Sequence, residues 1–431
     1  MKKTEIFEGK QLQNLPPNYT VSNPKCAFFG TVNDKNTFVK FDDELLSQHI
    51  LFLGGIGTGK TNAVFQIIHN LRQNMEQKDV MIIFDTKGDF KERFYEQGDI
   101  IISNDNSAMG ANGRDYWNIF GEIESGTDKI NSSINEIAKT LFSKKIEKTN
   151  QPFFPTAAKD LFSAVLSHFI RDNKNCNNES LQTLLLSSKT EDIREILKKY
   201  PDCQSLVSYI FDDRSPQTQG VFSELQQLSR EIFIDNFAKS GTLSMRELVR
   251  NKGGKTIFVE YDLGIGNMLS PVYSLLLDMA LKEALSRNKS DGNVYVLIDE
   301  FNLLPHLQHI DDAVNFGRSQ GLKLMIGIQN VDQVYEGYGE SRARSLLSGF
   351  LTSVCFRVND RHSKDFIMER HGANRKKDIF MSTVQSRGIV ENARDANVVE
   401  DWDISNLKRG QAIIGLPESE PFLFKFDKYK N

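Results

Sequence analysis

The sequence predicts an α/β fold with a mostly parallel central sheet, interrupted between about 125 and 240 by an all-helical insertion. A glycine-rich turn joins an apolar strand to an amphipathic helix near residue 55, and apolar runs such as VMIIFD and VYVLIDE recur along the chain. Continuous apolar runs are typical of strands that are covered on both faces, as in a parallel sheet. In the insertion, apolar residues instead recur at the three-to-four spacing of helices.

The clearest motif is a phosphate-binding loop within residues 50–61, ILFLGGIGTGKT, where Gly54, Gly59, Lys60 and Thr61 match the spacing G-x-x-x-x-G-K-[ST]. Phosphates need several inward-pointing backbone N–H groups, so the side chains of the loop must be small, and the following helix adds its positive end. We predict that Lys60 reaches the β- and γ-phosphates of ATP and that the Thr61 hydroxyl holds Mg²⁺. A dinucleotide fingerprint fits less well, because Lys60 stands where the third glycine is needed.

The segment after this loop, TNAVFQIIHNLRQN, repeats apolar residues at helical spacing, so a helix is expected to begin at the loop. The alternative is a glycine-rich strand-to-helix turn that binds nothing. The predicted nucleotide contacts are the loop and the first helical turn: Gly54, Gly55, Ile56, Gly57, Thr58, Gly59, Lys60, Thr61 and Asn62.

The remaining elements follow from the same patterns, taken in chain order. CAFFGTVND and NTFVKFDD flank a turn at 33–36, which predicts a β-hairpin, and VMIIFD and IIIS are two further strands. The helical insertion is predicted from INSSINEIAKTLF, AAKDLFSAVLSHFI, EDIREILKKY and TQGVFSELQQLSREIF. Later strands are predicted at KTIFVEY, VYVLIDE, KLMIGIQ, SVCFR, AIIGL and PFLFKF. The expected domains are a polar lead-in at 1–22, a nucleotide-binding domain at 23–124 and 241–431, and an all-α insertion at 125–240.

Composition leaves the binding partner open. The 431 residues carry a net charge of −4, so nucleic-acid binding would need a local basic patch or an assembled pore. The four cysteines are far apart and form no C-x-x-C pair, which favours a reducing cytoplasm. The N-terminus has no apolar core of a secretory signal, and no run approaches the roughly 18 to 20 apolar residues of a membrane span.

A second chemical site is predicted where the strand VYVLI delivers Asp299 and Glu300. In phosphate-loop enzymes the first acid holds Mg²⁺ and a following glutamate can polarise the attacking water. Gln329 ends the strand KLMIGI, where a sensor of the γ-phosphate would lie. Arg318 is a candidate arginine finger acting across a subunit interface, and its alternative is a solvated arginine near a helix end.

These motifs recur in the order seen in a known family. The chain resembles the motor domain of the TraD/TraG-type coupling ATPases of conjugation and type IV secretion, within the wider HerA/FtsK group. The matching segments span roughly residue 25 to the C-terminus: HILFLGGIGTGKT, FDTKGDF, GRDYWNIFGEI, FFPTAAKDLF, VLIDEFNLLP, NFGRSQGLKLMIGIQNVDQVYEGYG and CFRVNDRHSKDFI.

The resemblance implies a RecA-like fold and a role for each matching residue. Lys60 and Thr61 match the nucleotide and Mg²⁺ contacts, and Asp299 and Glu300 match the acidic pair. Gln329 matches the glutamine of the sensor strand. Arg318 matches an arginine that is proposed to reach the ATP of a neighbouring subunit. The helical insertion resembles an all-α domain at the mouth of a hexameric ring, associated with DNA entry and partner recognition.

The function expected from the resemblance is ATP-driven movement of single- or double-stranded DNA through a hexameric ring, with relaxosome or secretion-channel proteins as further partners. The family usually has membrane helices ahead of the motor, whereas 53 residues without such helices precede Gly54. Either a separate partner recruits a cytoplasmic protein to the inner face of the membrane, or the protein serves another mobile-element or anti-phage process. A different class of function is an ATP-switched docking platform that translocates nothing.

Two basic clusters could bind phosphate backbones, although basic runs on helices are usually solvated faces. The insertion cluster comprises Lys144, Lys145 and Lys148, and the C-terminal cluster comprises Arg361, Lys364, Arg370, Arg375, Lys376 and Lys377. Asp85, Lys87 and Asp89 follow a strand near the expected nucleotide. Structural hydrogen bonding and an indirect role in catalysis are both open for these three residues.

Overall fold

The structure of the protein, a computed structural model, describes residues 2–14, 19, 21–124, 127–173, 175–286, 292–381 and 389–430. The chain forms two units. The first contains Met1–Met75, Leu297–Asn302 and Lys323–Asn431, and the second contains Glu76–Val296 and Leu303–Leu322.

The strands and helices of both units are numbered along the chain. The strands are β1 (Lys2–Glu8), β2 (Cys26–Val32), β3 (Lys35–Phe41), β4 (Ile50–Leu53), β5 (Val80–Asp85), β6 (Ile100–Ile102), β7 (Lys255–Glu260), β8 (Val294–Ile298), β9 (Leu322–Ile328), β10 (Thr352–Phe356), β11 (Ala373–Met381), β12 (Ile389–Asn397), β13 (Gln411–Gly415) and β14 (Phe422–Phe426). The helices are α1 (Asp43–Leu46), α2 (Lys60–Asn74), α3 (Asp89–Phe94), α4 (Thr127–Lys148), α5 (Phe153–Asp172), α6 (Asn178–Ser187), α7 (Thr190–Lys198), α8 (Pro216–Ile232), α9 (Met245–Asn251), α10 (Gly266–Leu285), α11 (Ile310–Phe316), α12 (Val331–Tyr338), α13 (Glu340–Ser348), α14 (Arg361–His371) and α15 (Asp401–Ser405). Short 3₁₀ helices occupy Ile119–Glu122, Pro201–Ile210, Asp235–Ala238, Phe301–Leu303 and Gly317–Gln320.

In the first unit, the strands lie in the order β3, β2, β14, β13, β10, β4, β9. The pairs β10–β4 and β4–β9 are parallel, and the other neighbouring pairs are antiparallel. All four residues of β4 are buried, as expected for a strand between two parallel neighbours. A separate antiparallel sheet contains β1, β11 and β12, with β11 in the middle.

In the second unit, β5 and β6 both pair in parallel with β7, and every residue of β5 is buried. The helices α4 to α9 follow β6. Within the described part of 127–251, the chain forms helices and no strand, in agreement with the helical periodicity of the sequence. The long helix α10 is largely buried and contacts α4, α8, α9 and α11.

A buried carboxylate joins two segments of the second unit that are distant in sequence. Glu122 accepts hydrogen bonds from Trp117 Nε1 at 2.9 Å and from the backbone nitrogens of Met245 and Arg246 at 2.7 and 3.2 Å. Burial raises the pKa of Glu122, and these donors and the Arg246 charge oppose the rise. Trp117 is therefore a packing anchor in this unit, held through its indole nitrogen.

The hairpin and most strands lie where the sequence pattern predicts them. β2 and β3 pair in antiparallel register from Cys26–Phe41 to Val32–Lys35. The two residues between them, Asn33 and Asp34, have φ of 50° and 59°, which is the left-handed geometry of a tight hairpin turn. In contrast, β1, β11 and β12 were not predicted, because their charged sequences show no apolar run.

Asp278, in α10, is a buried acid with only one of its oxygens satisfied. Its Oδ1 accepts the backbone N–H groups of Gln308 and His309 at 2.8 and 3.1 Å. Its Oδ2 is buried and has no hydrogen-bond partner in the part of the chain that the structure describes. Burial is the main reason that the pKa of Asp278 is raised from 3.8 to about 6.

This raised pKa predicts a pH-dependent loss of stability. Asp278 is protonated in the folded state at a pH where it is ionised in the unfolded state, so its contribution to stability falls as the pH rises through about 6. Between pH 4.5 and 7.5, the wild type should lose about 2 kcal/mol of unfolding free energy relative to Asp278→Asn. Urea unfolding of both proteins at both pH values measures this difference. The exposed Asp312→Asn serves as the control, and an equal pH dependence in wild type and Asp278→Asn would contradict the prediction.

Candidate functional site

Three parallel strands of the first unit end side by side, and the candidate site lies at their carboxyl ends. β4 lies between β10 and β9, with Leu53 opposite Cys355 on one side and opposite Ile328 on the other. Gly54 therefore follows β4 at the level where Gln329 follows β9. Parallel α/β sheets bind their ligands at this edge, where the strands deliver loops and helix N-termini.

The phosphate loop is held by backbone hydrogen bonds to both neighbouring strands. Gly54 N donates to Ile328 O at 3.2 Å, and Gly55 N donates to Arg357 O at 3.0 Å. Within the loop, Thr58 Oγ1 donates to Gly55 O at 2.8 Å. These bonds fix where the loop begins and how it curves toward α2.

Two glycines of the loop are required by close contacts. A Cβ at Gly54 would lie 2.6 Å from the Cβ of Phe356 on β10, which is closer than two carbon atoms can approach. Gly59 has φ of 122° and its added Cβ would lie 3.1 Å from Gly410 Cα. Gly54 and Gly59 are therefore needed for the packing of the loop.

The first turn of α2 is suited to an anion. No side chain of the described residues caps this helix, whose N-cap is Gly59, so its first backbone N–H groups and positive dipole end face the loop. Lys60 is only 9% exposed, and its Nζ donates to the carbonyl oxygens of Gly54 and Gly55, the latter at 3.4 Å. The lysine charge thus lies inside the loop, which fits a triphosphate.

The acidic pair and the sensor glutamine lie in the same unit as the phosphate loop. Asp299 is 7% exposed, and its backbone lies against β9 at Gly327, where a Cβ would be 2.3 Å from Asp299 O. Gln329 Nε2 donates to Glu300 Oε2 at 2.7 Å. The structure therefore brings Glu300 and Gln329 together.

The other predicted residues lie in different surroundings. Thr61 is half-buried in the first turn of α2, and Ile56, at the tip of the loop, is 84% exposed. The Asn62 side chain donates to the backbone carbonyl of Asp427 and accepts from the backbone nitrogen of Tyr429. Arg318 belongs to the second unit, where it is exposed in a 3₁₀ helix, and the structure does not group it with the residues above.

Sequence reasoning missed the supports that lie near the C-terminus. Gly410 N donates to Thr58 O at 2.8 Å, directly under the phosphate loop. Gln66 of α2 bonds the backbone of Phe29 and Asp427, at 3.1 and 2.9 Å from Nε2. A glycine after a basic pair, as in KRG, is a common turn signal, but a turn signal does not show which segment the turn contacts. No local pattern of residues could therefore have predicted these hydrogen bonds.

Most members of the two basic clusters are satisfied within the chain. Lys144 Nζ donates to the side chains of Asn267 and Ser270, and Lys145 lies 3.5 Å from both Glu224 and Glu231. In the C-terminal cluster, the ion pairs are Arg361–Asp365, Lys364–Asp401, Arg375–Asp395, Lys376–Glu400 and Lys377–Glu391. Much of this positive charge is therefore neutralised locally.

The Asp85 carboxylate stabilises a turn in the second unit. Its Oδ1 accepts the backbone N–H groups of Lys87 and Gly88, and its Oδ2 accepts those of Phe90 and Lys91, at 2.8 to 3.2 Å. Burial raises the pKa of Asp85, and the nearby Glu260 charge adds to the rise. The carboxylate holds the turn between β5 and α3, which favours the structural interpretation of this motif.

The strand order, the phosphate loop and the paired acid and glutamine define a phosphate-loop α/β protein, and solved structures share its fold. The bacterial conjugative coupling protein TrwBdeltaN70 in its unbound monoclinic form superposes with a TM-score of 0.76 at 19% identity, covering 95% of this chain and 90% of that one. The plasmid coupling protein TrwB in complex with ADP and Mg²⁺ gives a TM-score of 0.71 at 20% identity, over 91% and 88%. The predicted RecA-like fold with a mostly parallel central sheet is confirmed.

Residues 37–424 match the family of the type IV secretion-system coupling protein DNA-binding domain, and the chain belongs to this family. Among curated relatives, the coupling protein TraD of Escherichia coli K12 is 23% identical over 359 residues. That alignment covers 82% of this chain and 48% of TraD, so the chain spans about half the length of this relative. The resemblance drawn from the motifs is confirmed. Within the described residues, no helix has both the length and the hydropathy needed to cross a bilayer.

The contact between Gly54 and Phe356 predicts a specific sensitivity of the loop. Gly54→Ala should lower the free energy of unfolding by about 1–3 kcal/mol, because the methyl group must push β4 and β10 apart. Gly55→Ala is the matched control, since its Cβ would meet nothing closer than 3.5 Å and should change stability by less than about 0.5 kcal/mol. Urea unfolding measures both, and equal stabilities of the two variants would refute the packing role.

Proposed function

We propose that the protein is an ATP-hydrolysing coupling motor that moves DNA as a ring, in conjugation, secretion or a related mobile-element process. The observation that carries the proposal is one unit in which a phosphate loop, an acidic pair and the hydrogen bond from Gln329 to Glu300 lie at adjoining strand ends. The family and the ADP–Mg²⁺ complex of TrwB support ATP and Mg²⁺ as the nucleotide and the metal.

The proposed roles follow from side-chain chemistry. Lys60 turns from the loop carbonyls to the β- and γ-phosphates, which neutralise its charge more strongly than neutral carbonyls do. The Thr61 hydroxyl and the Asp299 carboxylate are hard oxygen ligands and hold Mg²⁺. Glu300 orients the attacking water and takes up its proton, and Gln329 fixes the carboxylate of Glu300.

The hydrogen bond between Gln329 and Glu300 suggests how ATP hydrolysis is coupled to the conformation of the rest of the first unit. Gln329 directly follows β9, and Asn330 after it caps α12 by accepting from Gln333 N at 3.0 Å. A movement of the Gln329 amide toward the γ-phosphate would therefore pull on the start of α12. We propose that this step links the state of the nucleotide to the position of α12.

The proposal also includes assembly into a ring, Arg318 as an arginine finger and DNA as the cargo. Arg318 is exposed in the second unit, as a residue that acts on a neighbouring subunit must be. A closed ring places the same two surfaces in contact at every interface, so one arginine can serve each site. DNA, single- or double-stranded, is the proposed cargo, with relaxosome or secretion-channel proteins as partners.

A second candidate function is favoured by the neutralised basic clusters. A protein that grips DNA by phosphate contacts needs cations that are available to the backbone. Most lysines and arginines of both clusters are instead satisfied within the chain. An ATP-switched docking platform that recruits a DNA-processing complex, without moving DNA, would need no such cations.

ATP turnover with and without DNA separates these candidates. Turnover that single- or double-stranded DNA stimulates, and that weakens steeply with salt, supports the motor, because phosphate contacts release counterions. Lys60→Ala and Glu300→Gln should each reduce turnover at least about a hundredfold, since each removes charge or proton transfer from the transition state. Lys35→Ala, at the exposed end of the hairpin, is the matched control. Unimpaired turnover in Lys60→Ala or Glu300→Gln would refute the site, and DNA-indifferent turnover would favour the platform.

Mixing variants tests the interface role of Arg318. Neither Lys60→Ala nor Arg318→Ala should hydrolyse ATP alone. In an equal mixture, about a quarter of the ATP sites should be active, because each of these combines an intact Lys60 with an intact Arg318 from the neighbouring subunit. A mixture of Lys60→Ala with Glu300→Gln is the control and should stay inactive, because both residues serve the same subunit's site. If the first mixture is as inactive as the second, Arg318 does not act across subunits.

A further inference from the structure

The first unit contains a cavity of about 460 Å³ at the end of β10 that is opposite to the phosphate loop. Ser353, at the start of β10, lines this cavity, whereas Phe356, at the end of the same strand, packs beneath Gly54. β13 runs antiparallel to β10 and brings Gly415 into register with Ser353. The cavity is therefore separate from the nucleotide site, with the length of β10 between them.

The floor of the cavity holds two buried polar groups, one of which, the Ser353 hydroxyl, lies within reach of the Cys355 thiol. Ser353 Oγ and His371 Nε2 are buried and make no hydrogen bond of ordinary geometry within the described residues. Both lie beside Gly415, where an added Cβ would be 2.9 Å from Ser353 Oγ and 2.7 Å from His371 Cε1. Buried polar groups without partners are rare, because each costs the loss of its hydrogen bond to water. A residue other than glycine at 415 would crowd both groups.

The wall of the cavity carries three cations and one carboxylate. Arg344 lies 3.0 Å from Glu340 and 3.6 Å from Glu369, and so shares its charge with them. Arg370 donates instead to the backbone carbonyls of Leu347, at 3.3 Å, and Phe350, which satisfy its hydrogen bonds without neutralising its charge. With Lys10 also in the lining, the wall has an excess of positive charge.

The pKa of His371 reflects this positive charge. Burial, and then the charges of Arg370 and Lys10, lower the pKa of His371 to about 4. His371 is therefore neutral at pH 7 and can offer a ring nitrogen to a ligand without adding charge. Leu351, Phe366 and Leu416 form the apolar part of the lining.

We propose that this cavity binds a phosphomonoester, with the phosphate against Lys10, Arg370 and the Ser353 hydroxyl and the organic group against the apolar lining. Lys10 and Arg370 form no ion pair in the part of the chain that the structure describes, and two such charges match a phosphomonoester, which carries about −1.5 to −2 at pH 7, better than a single carboxylate. The volume exceeds that of a phosphate alone and lies in the range of small-molecule sites, about 300–1,000 Å³. A free metabolite and the headgroup of a phosphatidic-acid lipid both offer this chemistry.

Calorimetric titration of the full chain with phenyl phosphate, and sedimentation with vesicles that contain phosphatidic acid, test the two sources. In at least one arm, binding should persist in Lys60→Ala, in which the phosphate loop is impaired. It should weaken about tenfold in Lys10→Gln and in Ser353→Ala, each of which removes a direct phosphate contact. Arg361→Gln, an exposed arginine of α14 outside the cavity, is the charge control and should bind as the wild type does.

A second measurement follows the protonation of His371 rather than the affinity for the ligand. The His371 ring resonance, followed by NMR across pH, should show a pKa that rises when phenyl phosphate is bound, because an anion stabilises the imidazolium. Absence of binding in both arms would overturn the proposal. So would binding that Lys60→Ala abolishes, or that Lys10→Gln and Ser353→Ala leave unchanged.

Discussion

The packing of the phosphate loop depends on the close contact between Gly54 and Phe356. β4 and β10 can run side by side to the edge of the sheet only because Gly54 has no side chain at the point where the loop begins. The same closeness lets Gly55 N reach Arg357 O on the neighbouring strand. The curvature of the phosphate loop is thus set by strand packing before any nucleotide is bound, which lowers the entropic cost of binding.

The acidic pair depends on a second close approach in the same unit. Glycine at 327 allows β9 to pack against the backbone of Asp299, so the acid that would hold Mg²⁺ is positioned by main-chain contact. Gln329, the residue directly after β9, then reaches Glu300. β9 therefore contacts the Asp299 backbone at Gly327 and leads directly into Gln329, so a change in its position would alter both contacts.

The distribution of charge explains why the sequence left the DNA contacts open. Lysines and arginines that lie close together in the sequence are paired with carboxylates such as Asp401, Glu400 and Glu391. In the cavity behind β10, by contrast, Arg370 and Lys10 stand more than three hundred residues apart in the chain, yet their charges act on the same histidine. Runs of lysine and arginine in the sequence therefore did not indicate where positive potential is concentrated in the structure.

The sequence by itself determined the phosphate loop, the hairpin, the buried parallel strands and the helical insertion, because each of these is encoded in a short-range pattern of glycine or apolar spacing. The acidic pair and Gln329 could also be recognised, since each follows an apolar strand. Only the tertiary structure decided that Gln329 bonds Glu300, that Gly410 supports the loop, and that β1 pairs with β11. Such contacts join residues far apart in the chain and depend on strand register, which no local pattern of residues specifies.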